Sequence, residues 1–152
     1  IPRFVFDLLG LTINRDEVRT PMQWDSTPNA GFSSAGKTWL PVHKNYSKIN
    51  VERASKAEDS LLNTIQGLMK VRNHERSLQE GSLEILSGLP KGILGYTRKL
   101  NKEKVAILLN FDPQPRKFEF EYSECLFKLS KTDNLANAKL HLNGYSGMIL
   151  KA

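Results

Sequence analysis

The spacing of apolar residues changes once along this chain, from a helical period to a strand period, and that change limits what the chain can fold into. Leu61, Leu62, Ile65, Leu68 and Met69 recur at i, i+1, i+4, i+7 and i+8, with the polar Asn63, Gln66, Lys70 and Asn73 elsewhere. One face of a helix is therefore apolar. From residue 82 the period moves towards two. Segments 82–86, 93–98, 105–110, 117–122, 126–129, 138–142 and 148–151 are short and bounded by turn signals such as Leu89-Pro90-Lys91-Gly92, Asn101-Lys102 and Asp112-Pro113. About seven such strands predict an antiparallel sandwich. Lys117-Phe118-Glu119-Phe120-Glu121-Tyr122 alternates cleanly, which places the aromatics on the core face and the charges in water. Asn143-Gly144 reads as a two-residue turn.

Ser55 to Glu58 spells Ser-x-x-Glu, a capping box that satisfies the first backbone donors of a helix. The helix is expected to open there, with Met69 as a core filler. Before it, residues 1–54 carry four of the seven prolines, with Gly31 and Gly36 among them. From Asn14 onward that stretch reads as irregular and in need of another surface to lie on. The expected organisation is α+β: a loop region over 1–54, one long amphipathic helix over 55–76, and an antiparallel β-sandwich over 80–152. With 152 residues, 39% of them hydrophobic and 25% charged, the chain can bury one sizeable core.

The net charge of +6 raises the question of a polyanionic partner. Its distribution argues against one, because residues 1–81 hold eleven Lys/Arg against nine Asp/Glu and residues 82–152 hold eleven against seven. Lys99, Lys102 and Lys104 cluster at a predicted hairpin tip, where solvation explains them, and no aromatic residues interleave with them as a stacking platform requires. No nucleic-acid partner is expected. The apolar opening, Ile1 to Ile13, contains Arg3 and Asp7 and shows no small-residue cleavage site, so it makes a poor signal peptide. There is no long uninterrupted apolar stretch, so no membrane association is expected. Cys125 is the single cysteine, which fits a reducing compartment; a cytoplasmic location is expected, and the thiol reads as a small core side chain. His43, His74 and His141 lie far apart in differing contexts, so neither a metal site nor a cofactor is implied.

One run remains. Arg15-Asp16-Glu17-Val18-Arg19-Thr20-Pro21-Met22-Gln23-Trp24-Asp25 packs two guanidinium groups among carboxylates with no regular period. Arginine fixed by neighbouring carboxylates can grip a hydroxyl-rich ligand through bidentate hydrogen bonds. The same constellation also serves as an ion-pair network that holds a long loop down.

This run, followed by Pro28-Asn29-Ala30-Gly31-Phe32-Ser33, resembles the loop after the last barrel strand in the α-glucosidases of the α-amylase superfamily, the group of oligo-1,6-glucosidases, dextran glucosidases and sucrose isomerases. Trp39-Leu40-Pro41-Val42, Asn45-Tyr46, Ile49-Asn50-Val51, Ser60-Leu61-Leu62 and Leu68-Met69-Lys70-Val71-Arg72 follow in that family's order, and Asn110-Phe111 resembles a strand end of its C-terminal β domain. The resemblance implies that Arg15 binds the non-reducing terminal sugar, and that Asp16, Arg19, Trp24 and Asp25 position the loop. It also implies that 55–76 is the last barrel helix.

Retaining glycoside hydrolysis needs two carboxyl groups about 5 to 5.5 Å apart, and the family supplies them from upstream barrel strands. The family's third acid directly follows a histidine, whereas His43, His74 and His141 precede Lys44, Glu75 and Leu142, and no Arg-x-Asp nucleophile motif occurs. A complete (β/α)₈ barrel takes about 250 residues. The chain is therefore expected to be a C-terminal piece that packs on the rest of its parent, meets an α-glucoside only through the missing barrel, and is silent alone. Two other readings stay open. One is a carbohydrate-binding or interaction module using Tyr96, Tyr122 or Tyr145; the other is a non-enzymatic superfamily relative.

Overall fold

The computed structural model describes residues 18–152 together with Val5 and Leu8. It divides into two compact units, Ile1–Asn63 and Thr64–Ala152.

In the first unit the described chain is mostly turns and bends, with a short 3-10 turn at Pro28–Gly31 and helix α1 at Val51–Lys56. Asn50 caps α1: its side-chain oxygen accepts from the Arg53 N–H at 2.9 Å, and its amide donates to the Tyr46 carbonyl at 2.7 Å. This is the role that Asn plays best at a helix start.

Helix α2 spans Leu61–His74 and α3 spans Arg76–Glu80. The start of α2 corrects the expected capping box. Ser55 lies in the last turn of α1, where its hydroxyl donates back to the Glu52 carbonyl at 2.8 Å, and Ser60 accepts from the Asn63 N–H at 3.1 Å instead. Asn63 then donates to the carbonyls of Ala54, Ser55 and Ala57, at 3.3, 3.1 and 2.8 Å, so the end of α1 is satisfied by a side chain and the chain turns into α2.

Eight strands follow: β1 Ser82–Ile85, β2 Ile93–Leu100, β3 Glu103–Asn110, β4 Arg116–Glu119, β5 Glu124–Lys128, β6 Asn134–Ala136, β7 Lys139–Leu142 and β8 Gly147–Lys151. They form an antiparallel five-stranded sheet, β1-β2-β3-β8-β5, and a three-stranded sheet, β4-β7-β6. Among the described residues there is no closed barrel. Leu108, Met148 and Leu150 from the larger sheet meet Leu140 and Leu142 from the smaller one, all at most 1% exposed, with Phe118, Phe120 and Tyr122 packed against them. The aromatic face read from the 117–122 alternation is thus on the core, while Lys117, Glu119 and Glu121 are exposed.

The other face of the larger sheet is also apolar. Val105 and Ile107 are 1% and 7% exposed there, and a Cβ added to Gly67 of α2 would lie 2.9 Å from Phe127 of β5, which fixes how closely that helix approaches. With Gly67 and Leu68 turned to the sheet, Met69 is about half exposed (49%), as is Ile65, which corrects its expected role as a core filler. Between α2 and α3, the buried Glu75 reaches Lys151 at 3.2 Å, and Lys151 also pairs with Glu124 at 3.1 Å. The two carboxylates, Glu124 first, hold the lysine's pKa above its ordinary value.

Two turns differ from expectation. Asn143-Gly144 does not close a hairpin: β7 and β8 belong to different sheets, so the segment 143–146 is a crossover. Strand β6 was not anticipated, since three residues ending at a turn with Asn137 and Ala138 at φ 49° and 62° leave too short a run for alternation to register. Cys125 packs against the core as expected, and desolvation pushes its thiol pKa up.

Candidate functional site

Arg15 and Asp16, the sugar-gripping residue and its neighbour in the sequence reading, lie outside the described residues. Glu17 lies outside them too, and the motif is described from Val18 to Asp25. Arg19 is exposed on a bend, and from Trp24 the chain closes a turn. The backbone N–H groups of Trp24 and Asp25 both donate to the Ala30 carbonyl, at 2.8 and 3.2 Å, and the Ala30 N–H donates to Thr27 at 2.9 Å. Asn29, Ala30 and Gly31 all have positive φ, at 54°, 56° and 66°. Asn tolerates that region, and Gly31 is required by space as well: a Cβ there would lie 2.5 Å from the Asp25 carboxylate. The Asn29 side chain donates to the Ser33 and Ala35 carbonyls and ties down the far side of the turn.

Asp25 holds the near side. One of its oxygens accepts from the Thr27 N–H at 2.8 Å and from the Thr27 hydroxyl. These bonds, the hydroxyl's first, draw its pKa below the ordinary carboxylate value of 3.8. A depressed folded-state pKa means that the stabilisation is present above the unfolded value and is lost as pH falls through the folded one. The Asp25 carboxyl is therefore expected to titrate below 3.8 by NMR. Thr27→Val, which removes the hydroxyl and leaves the N–H, should move that midpoint upward; an unchanged midpoint would mean that the hydroxyl does not set it.

The motif also has a structural output that the sequence reading missed. The Gln23 and Trp24 carbonyls accept from the N–H groups of Val51 and Glu52, each at 2.9 Å, so the loop satisfies the first donors of α1. The Gln23 side chain donates to the Ile49 carbonyl. Asn50, the cap of that helix, followed by Glu52 in its first turn, was the readable signal. Trp24 itself is half exposed, as are Met22 and Phe32, and Trp39 is 94% exposed. The arrangement is a hydrogen-bonded polar turn that leaves its aromatic side chains half exposed or more.

On the β-sheets the residues proposed for an alternative carbohydrate surface do not form one platform. Tyr122 packs on the core, Tyr96 is partly buried and Tyr145 is 69% exposed. No group of three metal-ligating side chains occurs among the described residues, and none of the described helices is long and apolar enough to cross a membrane.

Residues 6–81 match the family model for the alpha amylase catalytic domain, a span of half the chain. The chain belongs to the α-amylase family. It is 46% identical over 104 residues to the salivary alpha-glucosidase of Aedes aegypti, covering 67% of this chain and 17% of that protein. It is 30% identical over 131 residues to the oligo-1,6-glucosidase of Bacillus cereus, covering 86% and 22%. Among solved structures, the trehalulose synthase of Pseudomonas mesoacidophila MX-45 superimposes with a TM-score of 0.75 at 31% identity, over 95% of this chain and 27% of that one. The isomaltulose synthase of Klebsiella sp. LX3 gives 0.73 at 28% identity, over 99% and 28%. The chain thus spans about a fifth of the length of the curated relatives it matches. The match to the α-amylase catalytic domain ends at residue 81, immediately before β1 begins at Ser82.

Proposed function

We propose that this α-amylase family chain is the C-terminal part of a retaining α-glucosidase that acts at the non-reducing end of short α-glucosides in the cytoplasm. The observation that carries this reading is the Arg15–Asp25 motif, continued by a turn in which Trp24 and Asp25 are locked to Ala30. The names of the relatives, α-glucosidase and oligo-1,6-glucosidase, support the substrate class. In the intact enzyme two carboxylates from the barrel perform double displacement, one as nucleophile and one as acid and then base. Arg15 holds the terminal sugar by charge-assisted hydrogen bonds, and Asp16, Arg19, Trp24 and Asp25 keep its loop in place. The 152-residue chain lacks that carboxylate pair and has a structural role.

The test is hydrolysis of a chromogenic α-glucoside, run with an intact-mass measurement on the same sample. The 152-residue chain is expected to give no turnover, and the longer polypeptide that contains it is expected to hydrolyse the substrate with retention of configuration. Arg15→Ala in that polypeptide should lower kcat/KM by about 10- to 100-fold, the loss expected for hydrogen bonds to a charged group. Turnover by the 152-residue chain itself, or an unaffected Arg15→Ala enzyme, would overturn the assignment.

A further inference from the structure

The helix-side face of the five-stranded sheet holds a cleft of ≈ 430 Å³. Arg72 of α2 and Leu78 of α3 form one wall; Arg98, Ile107, Phe127 and Ile149 of the sheet form the other. Its size and apolar lining with a few polar groups match a surface built to be occupied. Two features say by what.

The first is charge. Arg98 has one terminal nitrogen 3.4 Å from the Gln79 carbonyl, while its Nε is buried with no hydrogen-bond partner. A buried donor left unpaired is destabilising unless something arrives to accept from it. Arg72 adds a second guanidinium, and no Asp or Glu lines the cleft. What is missing is an acceptor, and the lining offers two guanidinium groups with no carboxylate to balance them.

The second is position. Helices α2 and α3 lie inside the span that matches the family's catalytic domain, and the sheet lies beyond it. The cleft sits at the seam between that domain's last helices and the β-module. The catalytic domain's remaining length is not in this chain, which covers about a fifth of its relatives.

We propose that Arg98 is one half of an ion pair between the β-module and the rest of the catalytic domain: the cleft seats an apolar segment of that domain, and an Asp or Glu on the segment accepts from the Arg98 guanidinium. This rests on the reading of the chain as part of a longer α-glucosidase. Such a pair is nearly neutral as a whole, but either half alone is costly. Arg98 therefore destabilises the 152-residue chain and stabilises the longer polypeptide.

That opposition is the test. Arg98→Met keeps the apolar stem and removes the charge. It is expected to leave the melting temperature of the 152-residue chain unchanged or higher, and to lower that of the full-length enzyme by several degrees. In parallel, Leu129→Cys places a thiol on the cleft wall, where Leu129 is 48% exposed, and Glu119→Cys places one on the exposed side of the smaller sheet as a reference. With labelling sites located by mass spectrometry, the Leu129→Cys thiol should react with maleimide at least tenfold faster in the 152-residue chain than in the full-length enzyme, and the reference thiol equally in both. Equal rates at position 129, or the same sign of melting shift in both proteins, would overturn the proposal. Protection at 129 that grows with the concentration of the 152-residue chain would assign the cleft to a second copy and overturn it too. An active full-length α-glucosidase with an open cleft sinks only this inference, whereas an inactive one sinks the functional reading.

Discussion

Replacing Asn110 with alanine is expected to destabilise the β-module by about 2–4 kcal/mol, the range for removing a buried polar group that several partners depend on. Asn110 is 2% exposed. Its amide nitrogen donates to the carbonyls of Gln114 at 2.9 Å, Asn143 at 2.8 Å and Leu142 at 3.4 Å, and its side-chain oxygen accepts from the Asp112 N–H at 3.0 Å. These partners sit on two different loops, the one leaving β3 and the crossover from β7 to β8, so one side chain joins both sheets at one end of the sandwich. Alanine leaves those carbonyls and one N–H short of a partner in a place with little room for water. Asn110→Asp is the informative second variant, because it keeps the acceptor for Asp112 and loses the donors. Thermal unfolding by circular dichroism should rank wild type above both, and a variant as stable as wild type would show that water replaces the side chain freely.

The same residue shows how sequence and structure divide the work of explanation. Asn110-Phe111 is a recognisable strand end in the sequence, but its reason is only partly local, since two of its four partners, Leu142 and Asn143, lie 32 and 33 residues away. Periodicity located the strands that alternate over several residues, and missed β6, which has three. It placed Lys117–Tyr122 on the correct face because a half-buried strand shows its burial in its own pattern. Alternation did not register that the larger sheet buries both faces; the readable sign was the continuous apolar run Val105-Ala106-Ile107-Leu108, which is what a strand covered on two sides looks like. The capping box at Ser55 misled because a Ser-x-x-Glu spacing does not say whether its serine opens one helix or closes another.

For the candidate site, residue identity was legible and geometry was not. The sequence marks Arg15 to Asp25 as a unit, yet gives no sign that Gln23 and Trp24 supply backbone acceptors to a helix that starts at Val51. Nor does it show that Asp25 accepts hydrogen bonds from Thr27 of its own turn. The ion-pair reading and the ligand-gripping reading were both open from spacing alone. In the described part of the motif, the hydrogen bonds of Trp24 and Asp25 go to the loop itself and to α1.

Gly144→Ala is expected to cost as much as Asn110→Ala or more, about 3 kcal/mol, and for a steric reason rather than a polar one. A Cβ at position 144 would lie 2.0 Å from the Pro113 carbonyl oxygen and 2.5 Å from its carbon. Both are backbone atoms, so no side chain can swing away, and one loop must move. Moving it pulls on the Asn110 N–H to Ser146 bond at 2.8 Å, the Tyr145 N–H to Asp112 bond at 3.2 Å, and the Asn110 side-chain bonds already described. Gly88→Ala separates the causes: Gly88 has φ +76° but nothing within 4 Å of an added Cβ. It should lose only the left-handed strain, about 1 kcal/mol. Because Gly144 and Asn110 hold the same two loops together, their effects should not add, and the double variant should be less destabilised than the sum of the singles. Additive losses would mean that the two loops yield independently, and a Gly144→Ala protein as stable as Gly88→Ala would mean that the crossover relaxes away from Pro113 without breaking its hydrogen bonds.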